Sequence, residues 1–245
     1  MGRLFRSEFL KLRKSSIWLL IFVSPILSML LGLSGEVGEI EEFKQHQWTA
    51  TLGMMTISHA ILFLPLLTGI FSSFICRYEH AGGGWKQLLS LPVSRRQVYF
   101  VKIFIVSLLI ALTQILFISG LFLIGWMKGY PTVIPWGVIL SSAFGGWLAC
   151  MPLIALQMFV SVAWSSFAAP FAVNVIFTIP NMLIVNSEKF GPYYPWSQPF
   201  LMMMPHSSES FGALNVSTET LFIVILGSLI LFLGSGLGYF MRKEI

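Results

Sequence analysis

The sequence predicts an all-α polytopic membrane protein: six transmembrane helices, an N-terminal amphipathic interface helix and a short cytoplasmic helix between spans two and three. Three observations carry this. Only 10% of the 245 residues are charged while 56% are hydrophobic, against roughly 25% charged in an ordinary soluble domain. Apolar runs recur at the length of roughly 20 residues that a helix needs to cross about 30 Å of hydrocarbon. Lysine and arginine gather in alternate connecting segments, as the positive-inside rule requires. A mean hydropathy of +0.82, with 22 Phe and 8 Trp, exceeds what a core of this size could hide, so the solvent is lipid. Six spans leave only short connections, and residues 1–245 read as one membrane domain without room for a separate soluble one.

Residues 1–16 form the first element. Phe5, Phe9 and Leu12 recur at i, i+4 and i+7, with Arg3, Arg6, Lys11, Arg13 and Lys14 on the opposite side of the wheel. That pattern predicts a helix lying on the inner membrane face. The first charge-free run is Ile17 to Leu33, followed by the acidic stretch Gly35 to Lys44, and the second lies within Trp48 to Cys76. No small-residue cleavage pattern follows Leu33, so the first run is read as a span and not as a leader. Ile103 to Trp126 is the third span. Gly129 to Ser187 then carries no charge, and a split at Ala163-Trp164-Ser165-Ser166-Phe167 gives spans Gly137 to Val162 and Ala168 to Val185. Residues 186–220 make an outer loop or re-entrant hairpin, and Leu221 to Phe240 is the sixth span. Pro25, Pro65, Pro152, Pro170 and Pro180 predict kinks whose freed carbonyls neighbouring helices satisfy.

With both termini cytoplasmic, the inner segments hold Arg3, Arg6, Lys11, Arg13, Lys14, Arg77, Lys86, Arg95, Arg96, Lys102, Arg242 and Lys243, twelve of the 15 basic residues. Lys44, Lys128 and Lys189 fall outside with most of the glutamates. A five-span topology would put Arg242 and Lys243 on the wrong side, so the charge pattern supports the split.

Several chemistries are disfavoured. The sequence has no G-x-x-x-x-G-K-[ST] and no Asp at all, so it offers neither a phosphate loop nor a Walker-type magnesium carboxylate. Cys76 and Cys150 suggest neither a disulfide framework nor a zinc cluster. No Asp, Glu, Arg or His falls within the spans between Ile103 and Val185, where an ion-coupled carrier would need one. His59 is the one titratable group deep in a span, and no partner at helical spacing makes it a metal ligand. His59, Gln114, Gln157, Asn174 and Asn181 therefore read either as interhelical hydrogen bonding or as the lining of a path for an amphipathic cargo. No catalytic residue, cofactor, metal or nucleic-acid partner is expected.

The cytoplasmic loop of residues 77–102 is the most informative segment. Gly82, Gly83 and Gly84 release the second span, and Trp85, Leu88 and Leu89 put an apolar face on a short helix, after which Pro92 follows. Ser94 and Gln97 have capping-box spacing. Arg95 and Arg96 then occupy a first helical turn whose dipole disfavours cations, which predicts a compensating lipid phosphate or acidic partner.

Glu79, Gly82 to Gly84, Leu88-Leu89, Leu91-Pro92-Val93-Ser94-Arg95 and Lys102, together with Phe9 and Lys11 in the leading helix, resemble the permease subunits of the ABC type-2 exporter family. The similarity is to the small permeases of lantibiotic-immunity and bacitracin-type efflux systems. The segment Gly191-Pro192-Tyr193-Tyr194-Pro195-Trp196-Ser197-Gln198-Pro199 resembles the aromatic, proline-rich stretch those permeases carry between spans five and six. The resemblance implies a multi-pass permease of a bacterial cell membrane, with a coupling helix within Gly83 to Ser94 docking on a separate ATPase subunit. It implies coupling roles for Glu79, Gly83, Trp85, Leu88, Leu89, Leu91, Pro92, Ser94 and Arg95, and a hairpin over Phe190 to Phe211 dipping into the outer leaflet. The partners it implies are the ATPase, a second identical or sister permease, the lipid bilayer and an amphipathic peptide as cargo. A membrane scaffold or sensor without a transport path is the alternative.

Overall fold

Helix forms wherever the sequence supplies an apolar run, and the breaks fall at glycine, proline or small polar residues. The protein is described from a computed structural model covering residues 2–13, 15–35, 46–205 and 212–244, in which no strand occurs. Most of the acidic stretch after the first span (Glu36 to Lys44), Lys14, and the end of the expected hairpin with Glu209 and Phe211 lie outside the described residues.

The helices are α1 (Gly2–Leu12), α2 (Ile17–Ser34), α3 (Gln47–Ser58), α4 (Leu64–His80), α5 (Gly84–Leu89), α6 (Arg95–Lys128), α7 (Trp136–Ala163), α8 (Ala168–Thr178), α9 (Asn181–Ile184), α10 (Gln198–Met203) and α11 (Thr218–Arg242). A π-turn, His59–Phe63, joins α3 to α4 without interrupting the rod, so among the described residues five helices are long and apolar enough to cross a membrane: α2, α3–α4, α6, α7 and α11. The 34 residues of α6 span about 50 Å at 1.5 Å per residue, well beyond a bilayer core.

The expected span Ala168 to Val185 is different. It is two pieces, α8 and α9, broken around Pro180, and at ~1.5 Å per residue it stops short of about 30 Å of hydrocarbon. The chain nevertheless returns to the opposite end of the bundle between α7 and α11, because the C-terminal ends of these two helices lie together. Lys243 Nζ donates to the Val162 carbonyl at the C-terminal end of α7 (2.6 Å), whereas Thr218 lines a cleft at the other end with His46 and Ser141.

α4, α6 and α7 form the centre, with α2 packed on α6 and α11 on α7. Leu19, Ile26 and Leu30 of α2 and Ile223, Ile230 and Leu231 of α11 are exposed, as lipid-facing side chains should be when the solvent is hydrocarbon. Close packing is made possible by missing side chains. A Cβ at Gly69 would lie 2.1 Å from the Asn174 amide, and one at Gly125 would lie 2.2 Å from the Trp48 ring.

The proline expectation holds at Pro65, which has no N–H for the preceding turn. Asn181 Nδ2 donates to the Ile61 carbonyl (2.8 Å), and Asn174 Nδ2 donates to Pro65 O (2.8 Å) and Leu66 O (3.2 Å). Asn174 Oδ1 in turn accepts from Gln157 Nε2 and Trp196 Nε1, both at 2.9 Å. One buried amide thus joins α4, α7, α8 and the outer segment.

Candidate functional site

The short helix α5 is held at one end of the bundle, between α4 and α6, by its own connection. Gly83, its N-cap, has φ +73°, in the left-handed region that favours glycine. A Cβ at Gly84 would meet the Tyr78 carbonyl at 2.7 Å and Glu79 Cα at 2.8 Å, so α5 folds tightly against the end of α4. Ser94 then caps α6 with the full reciprocal box expected with Gln97, both bonds at 3.2 Å.

The apolar face of α5 points inward. Trp85 and Leu88 are buried and Leu89 is half-buried. The Trp85 ring lies 5.1 Å from Phe240 at the end of α11, and its Nε1 donates to His80 Nδ1 (3.3 Å). His80 Nε2–H donates across to the Ser161 carbonyl of α7 (2.8 Å). The side chains left facing away from the bundle are Lys86, Gln87, Ser90, Leu91 and Pro92, with Leu91 54% exposed. A recess of about 490 Å³ opens beside them, walled by Glu79, His80, Gly83, Trp85, Lys86, Lys243 and Glu244.

Arg95 has a different compensation from the one expected. Its Nη1 donates to the carbonyls of Phe240 (3.1 Å), Met241 (3.2 Å) and Lys243 (2.7 Å). The arginine that sits badly on the α6 N-terminus sits well on the α11 C-terminus, where free carbonyls and the negative end of the helix dipole favour a cation. Arg96 is left exposed.

Beneath α5 lies an arrangement that sequence reasoning missed. Glu8 Oε1 accepts from Lys11 (2.5 Å) and Oε2 from Lys102 (2.6 Å). Glu79 Oε1 accepts from the same Lys11 (2.6 Å), and its Oε2 lies 3.0 Å from Lys102. Two carboxylates and two ammoniums thus close a four-membered ring of alternating charge joining α1, α4 and α6. Glu8, Glu79 and Lys102 are almost fully buried, while the Lys11 side chain is 32% exposed. Burial alone would raise the Glu8 carboxyl, but the adjacent Lys102 and Lys11 ammoniums outweigh it and hold the group below its ordinary value of 4.5. Lys102 also donates to Ile75 O (3.3 Å) and stands 5.6 Å from the Trp85 ring centroid. The signal for Glu8 was in the sequence: it shares a helix face with Leu4 and Leu12, and a carboxylate in an apolar stripe requires a buried partner.

α1 accordingly docks on the bundle through Leu4, Glu8 and Leu12, all buried. Phe5 and Phe9 are half-buried on its flank, Phe5 against Phe104 (5.7 Å) and Phe9 against Trp18 (5.6 Å). Arg3, Arg6 and Arg13 remain exposed.

The intramembrane polar residues also meet. His59 stacks on Phe117 at 4.1 Å, its Nδ1 is 2.6 Å from Ser24 Oγ and its Nε2 3.2 Å from Gln114 Oε1. Gln114 Nε2 reaches Met203 Sδ (3.3 Å). Asn181 Nδ2 also donates to the Trp196 carbonyl (3.0 Å). Together these bonds seat the outer segment, whose residues Trp196 to Met203 are buried. Beside it a cleft of about 700 Å³ combines Met202, Met203, Met204, Phe144 and Phe222 with His46, Thr49, Ser141, Ser142 and Thr218. Among the described residues no three His, Cys, Asp or Glu side chains come together as a metal site.

The chain is similar to known transport proteins. Residues 4–181 match the model of the ABC-2 family transporter protein. A bacitracin transport permease protein of Bacillus licheniformis is 23% identical over 198 residues, covering 78% of this chain and 92% of that protein.

Proposed function

This chain belongs to the ABC-2 family of transporter proteins, and on that premise we propose that it is the permease subunit of an ATP-driven exporter in a bacterial cell membrane, with both termini cytoplasmic. ATP hydrolysis belongs to a separate ATPase subunit, and a second copy or sister permease completes the transporter. The cargo is an amphipathic peptide antibiotic, of the lantibiotic or bacitracin kind, moved outward.

The observation that carries the reading is the placement of α5. A six-residue helix stands between the cytoplasmic ends of α4 and α6, with Trp85 and Leu88 against the bundle and Lys86, Gln87, Ser90 and Leu91 facing away. Such a helix receives force on its outer face and passes it inward. Trp85 and Leu88 transmit, through Phe240, His80 and Lys102, and the polar face with Leu91 and Pro92 meets the ATPase. The mixed walls of the outer cleft suit an amphipathic cargo, since methionine adapts to varied apolar shapes. The bacitracin permease similarity supports the cargo class.

The test is antibiotic sensitivity. Deleting the permease is expected to lower the inhibitory concentration of bacitracin or of a lantibiotic, with restoration by the wild-type chain only when its partner ATPase retains the catalytic glutamate; an unchanged sensitivity profile counts against the cargo. One observation favours the scaffold or sensor alternative: His59, Gln114, Gln157 and Asn174 are buried and bonded to one another or to adjacent elements. That reading expects no change in sensitivity.

A further inference from the structure

The ring of Glu8, Lys11, Glu79 and Lys102 has a property that its four contacts do not reveal one at a time. Glu8 and Lys11 are both on α1, three residues apart, and Glu79 and Lys102 are both on the bundle. Cut between α1 and the bundle, the ring divides into two neutral pairs. α1 can therefore leave or return without stranding a net charge on either side, and stranding is what makes breaking most buried ion pairs so unfavourable. Two further features fit a contact that opens. The ring is open to the surface at Lys11, whose side chain is 32% exposed, and an open apolar recess of about 560 Å³, walled by Gly2, Phe5, Phe104 and Met151, runs between α1 and α6. Once released, α1 has a place to rest, since its aromatic flank and its exposed Arg3, Arg6 and Arg13 suit an anionic lipid surface.

We propose that Glu8, Lys11, Glu79 and Lys102 are positioning residues that form a reversible clasp, by which α1 docks on and releases from the cytoplasmic ends of α4 and α6 as α5 moves. Lys102 connects the two events, because it holds Glu8 and also lies against Trp85 of the coupling helix. The clasp rests on the permease reading for its driving force, although its division into neutral halves does not.

Two measurements test it. On the permease alone, Glu8→Gln leaves the ring with one excess positive charge, whereas Glu8→Gln with Lys11→Gln leaves it neutral. The single variant is expected to lower folded yield about tenfold and the double about twofold or less, a non-additivity that follows from the neutral halves. A double variant as damaging as the single overturns the proposal. In the complex with its ATPase, spin labels at the exposed positions Ser7 of α1 and Arg96 of α6 report the separation of α1 from the bundle; the native Cys76 and Cys150 are buried. Two distance populations are expected, shifted by ATP with vanadate and by the double variant without nucleotide. One unchanging distance in every state makes the ring a permanent staple and overturns the clasp. If no ATPase is recovered, the permease reading fails, and the yield comparison alone still decides whether the ring divides as proposed.

Discussion

Replacing Lys102 with methionine is expected to destabilise the folded chain by about 3–5 kcal/mol, the usual loss when one partner of a buried ion pair is removed. Lys102 is 1% exposed, and its ammonium is shared by Glu8 and Glu79. Without it two buried carboxylates have only Lys11 between them, and Glu79 Oε2 faces no cation. The measurement is unfolding in mixed detergent, read by circular dichroism, against wild type. Arg96→Met supplies the contrast: that side chain is exposed, and a change within about 0.5 kcal/mol is expected there. Equal behaviour of the two variants would mean that the ring contributes nothing to the fold.

Asn174→Leu is expected to cost about 2–3 kcal/mol and to loosen the outer segment. Leucine approximates the volume but serves none of the four bonds, leaving the Gln157 amide and the Trp196 indole N–H without an acceptor, with an ordinary cost of about 1–3 kcal/mol for each orphaned donor. Hydrogen bonds between membrane helices average nearer 0.6 kcal/mol, which sets the lower end of the range. Loss of the Trp196 anchor should expose Lys189, at the start of the outer segment, to faster tryptic cleavage. Asn186→Leu is the control, because that amide bonds only within its own turn at an exposed position. If the two variants unfold alike, Asn174 is not the junction described above.

The parts legible in the sequence were those governed by local rules. Apolar run length placed α2, α3–α4, α7 and α11 to within about a turn, whereas α6 begins eight residues before its apolar run, at the cap that the Ser94/Gln97 spacing found between neighbours three residues apart. The span expected over Ala168 to Val185 was harder, because composition registers an apolar stretch but not that Pro180 divides it into pieces too short to span alone. Charge partners distant in sequence were not legible. Glu8 meets a lysine 94 positions away, and Arg95 caps a helix end about 145 positions on. In both cases the sequence showed the problem, a carboxylate on an apolar face and a cation at the wrong helix end, without its solution. For α5 the apolar stripe was plain, but a stripe does not say whether the bundle or a partner covers it. The bundle covers Trp85 and Leu88, which moves the proposed docking surface to Lys86, Gln87, Ser90 and Leu91.

The measurement closest to the central claim is affinity purification of the tagged, membrane-extracted chain with identification of what accompanies it, repeated with Leu91→Asp. A soluble P-loop ATPase is expected with the wild-type chain, and the exposed aspartate is expected to reduce its recovery about tenfold or more, as loss of an interface anchor does, while leaving the permease folded. Recovery of no nucleotide-binding protein from a well-folded chain, or an ATPase whose association is indifferent to charge at Leu91 and Gln87, would contradict the assignment of α5 as the place where the motor docks.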